Sequence, residues 1–234
     1  MDSITNVVIS GYTRSGSTYL FNVLKSSGHF SLPINNIKEL RYFIDDEYHI
    51  NGMANTKPYI KFFKLNKNLT LESSPDYIHN KAFVQEFSKN RNLKTILIKR
   101  PLEDRLNSWY NYYQSKRIIN TQVSFEQFKK NQIQNQDSYN NPPYYSVISN
   151  MIYRNHLDRL LKIDSSRVLI IDFNDLTTNF DKIQSLLSEF LSCNICYNPN
   201  INYPKNSFQD VTFLNTIAIF RKIKNYLKRN IPLI

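Results

Sequence analysis

The stretch Gly11-Tyr12-Thr13-Arg14-Ser15-Gly16-Ser17-Thr18 follows an apolar run, Val7-Val8-Ile9, and leads into Tyr19-Leu20. A strand, then G-x-x-x-x-G, then Ser-Thr opening a helix is the backbone plan of a P-loop. In that plan successive N–H groups and a helix N-terminus surround a phosphate. The chain holds only four glycines, where ordinary usage of about 7% would give about sixteen. Two of the four fall in this loop, where backbone angles closed to other residues are needed. The lysine that a Walker A loop carries after its second glycine is missing, because position 17 is Ser. The cation sits inside the loop instead, at Arg14. Kinases and NTPases use that lysine with Mg²⁺ against the β- and γ-phosphates. A loop without it suits a donor with a single 5′-phosphate group, and Arg14 is placed to offset charge on the leaving oxygen.

A second basic residue stands where an apolar run ends, in Thr95-Ile-Leu-Ile-Lys-Arg100. Its planar fork suits bidentate binding of a phosphate; as strand-end basic residues are common, a surface Arg is the other reading. Pro101 is expected at the first position of the following helix, and Ser108 lies two turns along it. Lys38-Glu39 and Glu72 supply the carboxylates. From the residues alone, Glu39 reads as a surface carboxylate paired with Lys38 or Arg41.

Three runs read as buried strands able to position these residues: Ile4 to Ser10, Lys94 to Lys99 and Arg167 to Asp172. Helical patterns lie between them, at Ser17 to Ser26, Lys81 to Lys89, Pro101 to Arg117, Tyr144 to Leu161 and Lys182 to Leu191. Ser124-Phe-Glu-Gln127 is a capping-box pattern that starts a short helix. Asn131 to Pro143, rich in Gln and Asn, reads as a long loop or lid, and Val211 to Arg229 as a packed amphipathic helix. Apolar strands alternating with helices argue an α/β fold, a P-loop-type central parallel sheet flanked by helices on both faces. Ligands of such sheets bind beyond the carboxyl ends of the strands, where both basic residues lie. With no repeat and no linker, residues 1–234 read as a single domain.

Thirty Lys+Arg against nineteen Asp+Glu leave a net charge of +11, which favours polyanionic partners. The basic residues are dispersed and no helix-turn-helix, RRM or KH signature is present, so a nucleic-acid partner is not expected. No run approaches the ~18 apolar residues of a membrane span, and Asp2 with a short apolar run does not make a signal peptide. Stable membrane insertion is not expected, and a cytoplasmic setting is. Cys193 and Cys196 form a lone C-x-x-C, and the four histidines are scattered. No metal site is expected from them.

The sequence resembles the PAPS-dependent sulfotransferases. Their 5′-phosphosulfate loop has the form G-x-x-[KR]-[ST]-G-[ST]-[ST], and Gly11 to Thr18 follows it throughout. Their second signature, a strand ending in Arg with a Ser eight residues later, is matched by Arg100 and Ser108. The resemblance implies PAPS as cofactor with PAP as product and no metal. Arg14, Ser15, Gly16, Ser17 and Thr18 would hold the 5′-phosphosulfate, and Arg100 and Ser108 the 3′-phosphate. Lys38-Glu39-Leu-Arg-Tyr-Phe43 is similar to an element of the carbohydrate (heparan-sulfate-type) branch whose Glu is the base. Glu72-Ser-Ser-Pro-Asp-Tyr77 is similar to the same branch's Glu-Lys-[Ser/Thr]-Pro-x-Tyr, with Ser73 in place of Lys. By that likeness Glu39 is the base, with Lys38 beside it and Glu72 as the substitute. The acceptor is then a hydroxyl or amine, most economically on a sugar or polysaccharide. Lys205 occupies the place of a late basic loop that closes over the cofactor, with Asn206 where glycine is usual. Val168 to Leu176 is similar to a structural strand of the family and also mimics a Walker B strand. A small-molecule P-loop kinase or NTPase is therefore the alternative.

Overall fold

The computed structural model describes residues 4–43, 58–134 and 153–196. Among these residues five strands form one sheet: β1 (Thr5–Ser10), β2 (Phe30–Ser31), β3 (Leu69–Glu72), β4 (Leu93–Lys99) and β5 (Val168–Asp172), in the order β2-β3-β1-β4-β5. Every pairing is parallel. Among the described residues seven α-helices accompany the sheet: α1 (Ser17–Ser26), α2 (Lys81–Lys89), α3 (Leu102–Ser115), α4 (Phe125–Gln134), α5 (Tyr153–Asp164), α6 (Phe173–Thr178) and α7 (Phe180–Leu191).

Alternation along the strands divides the core in two. Val7 and Ile9 of β1 and Ile96 and Ile98 of β4 pack with Leu20 and Leu24 of α1 and with Ile183 and Leu187 of α7. Val8 and Leu97 point the other way, against Phe83 and Phe87 of α2 and Leu160 of α5. Both faces of the sheet are thus covered by helices, which is why β1 and β4 carry nearly continuous apolar runs. A third, smaller cluster joins Leu106 and Tyr113 of α3 to Phe128 of α4.

The connection leaving β1 runs toward β2 and β3, whereas the chain from β4 runs to β5 on the other side. The sheet's topological switch therefore falls between the carboxyl ends of β1 and β4, the place where open parallel sheets receive ligands.

Two strands escape the sequence reading. β2 has two residues, and β3 alternates Leu-Thr-Leu-Glu rather than running apolar. Thr70 and Glu72 are fully buried but polar, and each is satisfied by side-chain partners, Thr70 by donating to Asn6 Oδ1 at 3.0 Å. Pro101 takes the N-cap position, with φ −52° and ψ 144°, so α3 starts one residue later than expected, and it ends at Ser115 rather than Arg117. The capping box does open α4: Ser124 Oγ accepts from the Gln127 N–H at 3.2 Å. That helix continues through Asn131 to Gln134, where a loop was expected. Gln127 Nε2 donates to Asn131 Oδ1 at 2.9 Å across one turn, and Gln132 is buried, so its polar residues serve the helix rather than end it. The remainder of that loop, the front half of the helix expected from Tyr144, the amphipathic tail and Lys205 lie outside the described residues.

Candidate functional site

Three backbone positions bend the loop between β1 and α1. Gly11 has φ +122°, Arg14 +65° and Gly16 +94°. The Gly11 N–H donates to the Pro75 carbonyl at 3.0 Å, tying the loop to the turn Pro75–His79. Gly16 caps α1 with its backbone, without a side-chain hydrogen bond to the first amides of the helix. A Cβ on Gly16 would lie 3.0 Å from Phe173 Cε2, so packing as well as φ requires glycine there.

Arg14 is the centre of the arrangement. Its Nε donates to Ser108 Oγ on α3 at 3.1 Å, and its guanidinium lies 4.9 Å from the Tyr112 ring centroid one turn further along. Its carbonyl accepts from Arg100 Nη1 at 2.8 Å. Arg100, just past β4, stacks on the Phe173 ring at 4.0 Å. Burial lowers the pKa of both arginines; Tyr112 opposes this at Arg14, and Asp104 at Arg100. A guanidinium stays protonated regardless, so the site concentrates two permanent positive charges. Ser15 Oγ and Arg100 Nε are buried atoms with no hydrogen-bond partner among the described residues. Buried polar atoms are normally paired, so two orphans in one loop cluster mark a place shaped for polar atoms from elsewhere.

Lys38 joins the carboxylate segment to this loop. Its Nζ donates to Thr18 Oγ1 at 3.3 Å and pairs with Glu39 Oε1 at 2.7 Å. The Glu39 side chain is 39% exposed. Arg41 Nη2 pairs with Asp76 at 3.3 Å, and burial raises the pKa of Asp76 while Arg41 lowers it.

Glu72 is placed differently. It is fully buried at the end of β3, with Oε1 accepting from Tyr77 Oη at 2.8 Å and Tyr59 Oη at 2.9 Å. Oε2 accepts from Ser74 Oγ at 2.7 Å and from the Leu40 N–H at 3.1 Å. Burial pushes the pKa of this carboxyl up, and the four donors pull against that shift. Burial, and then the nearby Glu72 carboxylate, push the Tyr59 and Tyr77 phenols well above their ordinary value.

The structure thus brings Arg14, Ser15, Gly16, Ser17, Thr18, Arg100 and Ser108 to one end of the sheet, with Lys38 and Glu39 alongside. Cys193 and Cys196 are free thiols, and burial raises the pKa of Cys193. Among the described residues, no three His, Cys, Asp or Glu side chains cluster as a metal site, and no helix is long and apolar enough to cross a membrane. Two residues of the cluster went unremarked in the sequence. Tyr112 could have been found, because it follows Ser108 by four residues and so shares its helix face. Phe173 gives no local signal, since its place under Arg100 comes from long-range packing.

Comparison with known proteins follows the same lines. The profile of the family described as the sulfotransferase domain matches residues 5–218. No curated protein matches the chain in sequence. Among solved structures, a sulfotransferase from Alicyclobacillus acidocaldarius superposes with a TM-score of 0.69 at 16% identity, covering 94% of this chain and 92% of that one. A mouse sulfotransferase complexed with PAP gives a TM-score of 0.52 at 15% identity, over 84% of this chain and 60% of that one. At such identities these two speak for the fold.

Proposed function

The chain belongs to the sulfotransferase domain family, residues 5–218 carrying the match, and from that premise we propose that it transfers a sulfuryl group from PAPS to a carbohydrate hydroxyl or amine, with Glu39 as general base. One observation carries the reading: Arg100, Ser108 and Arg14, from the ends of two strands and from one helix, are hydrogen-bonded into a single cluster at the switch point of the sheet. Family membership sets the kinase alternative aside, as does Ser17 in the place of the Walker lysine.

The residues present fit a phosphate-rich donor. Ser15 Oγ and Arg100 Nε are buried donors without partners among the described residues, and the amides opening α1 have no side-chain cap. Gly11, Arg14 and Gly16 hold the positive φ angles that let successive N–H groups converge. Ser15 to Thr18 would hold the 5′-phosphosulfate, and Arg100 with Ser108 the 3′-phosphate. Bound PAPS would supply a sulfuryl group whose bond to the 5′-phosphate oxygen breaks, in line, as a bond to the acceptor oxygen or nitrogen forms.

Glu39 takes the acceptor's proton on a carboxylate oxygen. Lys38, bonded to both Glu39 and Thr18, fixes the distance between that carboxylate and the loop. Arg14 faces the charge that develops on the phosphate side, already oriented by Ser108 and Tyr112, so little reorganisation is needed. The sugar acceptor rests on the likeness of Lys38 to Phe43 and Glu72 to Tyr77 to the carbohydrate branch. Incubation with ³⁵S-labelled PAPS against glycans, phenols and lipids tests the reading. Label is expected on a glycan; label only on a phenol or lipid would overturn the acceptor class, and no transfer or sulfate release at all would overturn the activity.

A further inference from the structure

We infer that Glu72 is a positioning residue for Glu39: its buried carboxylate is the anchor onto which the irregular segment bearing Lys38 and Glu39 is docked. The inference rests on the reading of Glu39 as the base, and it separates the two carboxylates into different roles.

The segment 38–42 belongs to no helix or strand, yet three consecutive backbone amides in it are spoken for in register. The Leu40 N–H donates to Glu72 Oε2 at 3.1 Å, the Arg41 N–H to Ser74 Oγ at 3.1 Å, and the Tyr42 N–H to Tyr77 Oη at 2.6 Å. Ser74 and Tyr77 in turn each spend their own hydroxyl proton on Glu72. Three consecutive amides therefore reach one carboxylate, the first directly and the others through one hydroxyl each. On the segment's other side the Ser73 N–H donates to the Lys38 carbonyl at 2.9 Å. Glu72 is 0% exposed, and its two oxygens accept from four donors. A base must have a free lone pair facing the acceptor; Glu39, 39% exposed and bonded to Lys38, is open to one, and Glu72 is enclosed.

The chemistry demands an ionised carboxylate at position 72. A carboxylate is acceptor-only and meets four donors, whereas the amide of Gln would put an NH₂ against a hydroxyl or N–H that must itself donate. One substitution should then release the whole segment, because a partly satisfied buried network is unstable as a unit.

The test compares Glu72→Gln, Glu39→Gln and the double variant in the full chain, with labelled PAPS and water as acceptor. Sulfate release, PAP affinity and amide exchange of residues 38–43 are read together. Expected are faster exchange of these amides in Glu72→Gln but not in Glu39→Gln, and PAP affinity within about twofold of wild type in both. Release should fall by a similar factor, about 10²-fold or more for loss of a positioned base, in both single variants, and the double variant should be no slower than either. A residue that acts only on general stability would multiply its factor with that of Glu39 instead. Tyr59→Phe, which removes one hydroxyl donor that bonds none of the segment's amides, should slow release by less than tenfold. Unchanged exchange of the 38–43 amides in Glu72→Gln, or multiplicative losses in the double variant, overturns the inference. Failure of the wild-type protein to bind PAP would instead strike the functional reading beneath it.

Discussion

Gly16→Ala probes the loop where backbone and packing requirements meet. Gly16 has φ +94° and ψ 12°, and forcing an alanine into a left-handed conformation costs about 1–2 kcal/mol. Its Cβ would also stand 3.0 and 3.2 Å from two carbons of the Phe173 ring. That ring cannot swing away freely, because the Arg100 guanidinium lies 4.0 Å above it and the core lies behind it. Overpacking of this kind costs a further ~1–3 kcal/mol. The sum, about 2–5 kcal/mol, should lower Tm by ~4–20 °C for a chain of this size, at about 2–4 °C per kcal/mol. Gly11→Ala is the matched comparison: φ is +122°, but the nearest side-chain atom to its Cβ is Leu97 Cδ2 at 3.8 Å, so it bears the backbone strain without the crowding. Scanning calorimetry of the three proteins reads the difference. Gly16→Ala should be the less stable variant and, because Phe173 supports Arg100, also the weaker PAP binder. Equal melting temperatures for Gly16→Ala and Gly11→Ala would refute the claim that Phe173 fixes the glycine.

Glu39→Gln should lower turnover by about 10²–10⁴-fold, the usual share of a positioned base, while calorimetric PAP affinity stays unchanged; full activity would remove Glu39 from the mechanism. Asp164 accepts from the Ser166 N–H and hydroxyl and from Arg167 Nε, which hold its carboxyl down at about 2 from 3.8. A depressed pKa means that its contribution to stability is complete above pH ~4 and lost as pH falls through 2. Denaturant unfolding at pH 5 and pH 2.5 should show Asp164→Asn losing less stability than wild type over that interval, and parallel losses would contradict the assignment.

The parts of this protein legible in its sequence are those set by local rules. The Gly11-to-Thr18 loop announces itself because its two glycines stand where φ is +122° and +94°, and β1, β4 and β5 announce themselves because a parallel sheet covered on both faces needs apolar runs. β3 was hidden for the opposite reason: Thr70 and Glu72 are polar in a buried strand, and their burial is licensed by partners from other segments of the chain. Local spacing placed Arg100 and Ser108 on either side of a proline, but not their meeting at Arg14, which depends on how α3 packs across the end of β1. The ambiguity between Glu39 and Glu72 had the same origin. Two acidic residues look alike in a string of letters, and they part company only when one is found enclosed by four donors and the other at the surface beside Lys38.

The central claim is that Arg14, Arg100, Ser108 and the loop around them form a site for an adenosine 3′,5′-bisphosphate donor. Isothermal calorimetry of PAP against wild type and Arg100→Ala, both in chelator, measures this most directly. Saturable binding without metal is expected, weakened in Arg100→Ala by about 10- to 150-fold, the equivalent of ~1.5–3 kcal/mol for hydrogen bonds to a charged group. No heat of binding at high micromolar PAP, or an Arg100→Ala variant that binds as tightly as wild type, would contradict it.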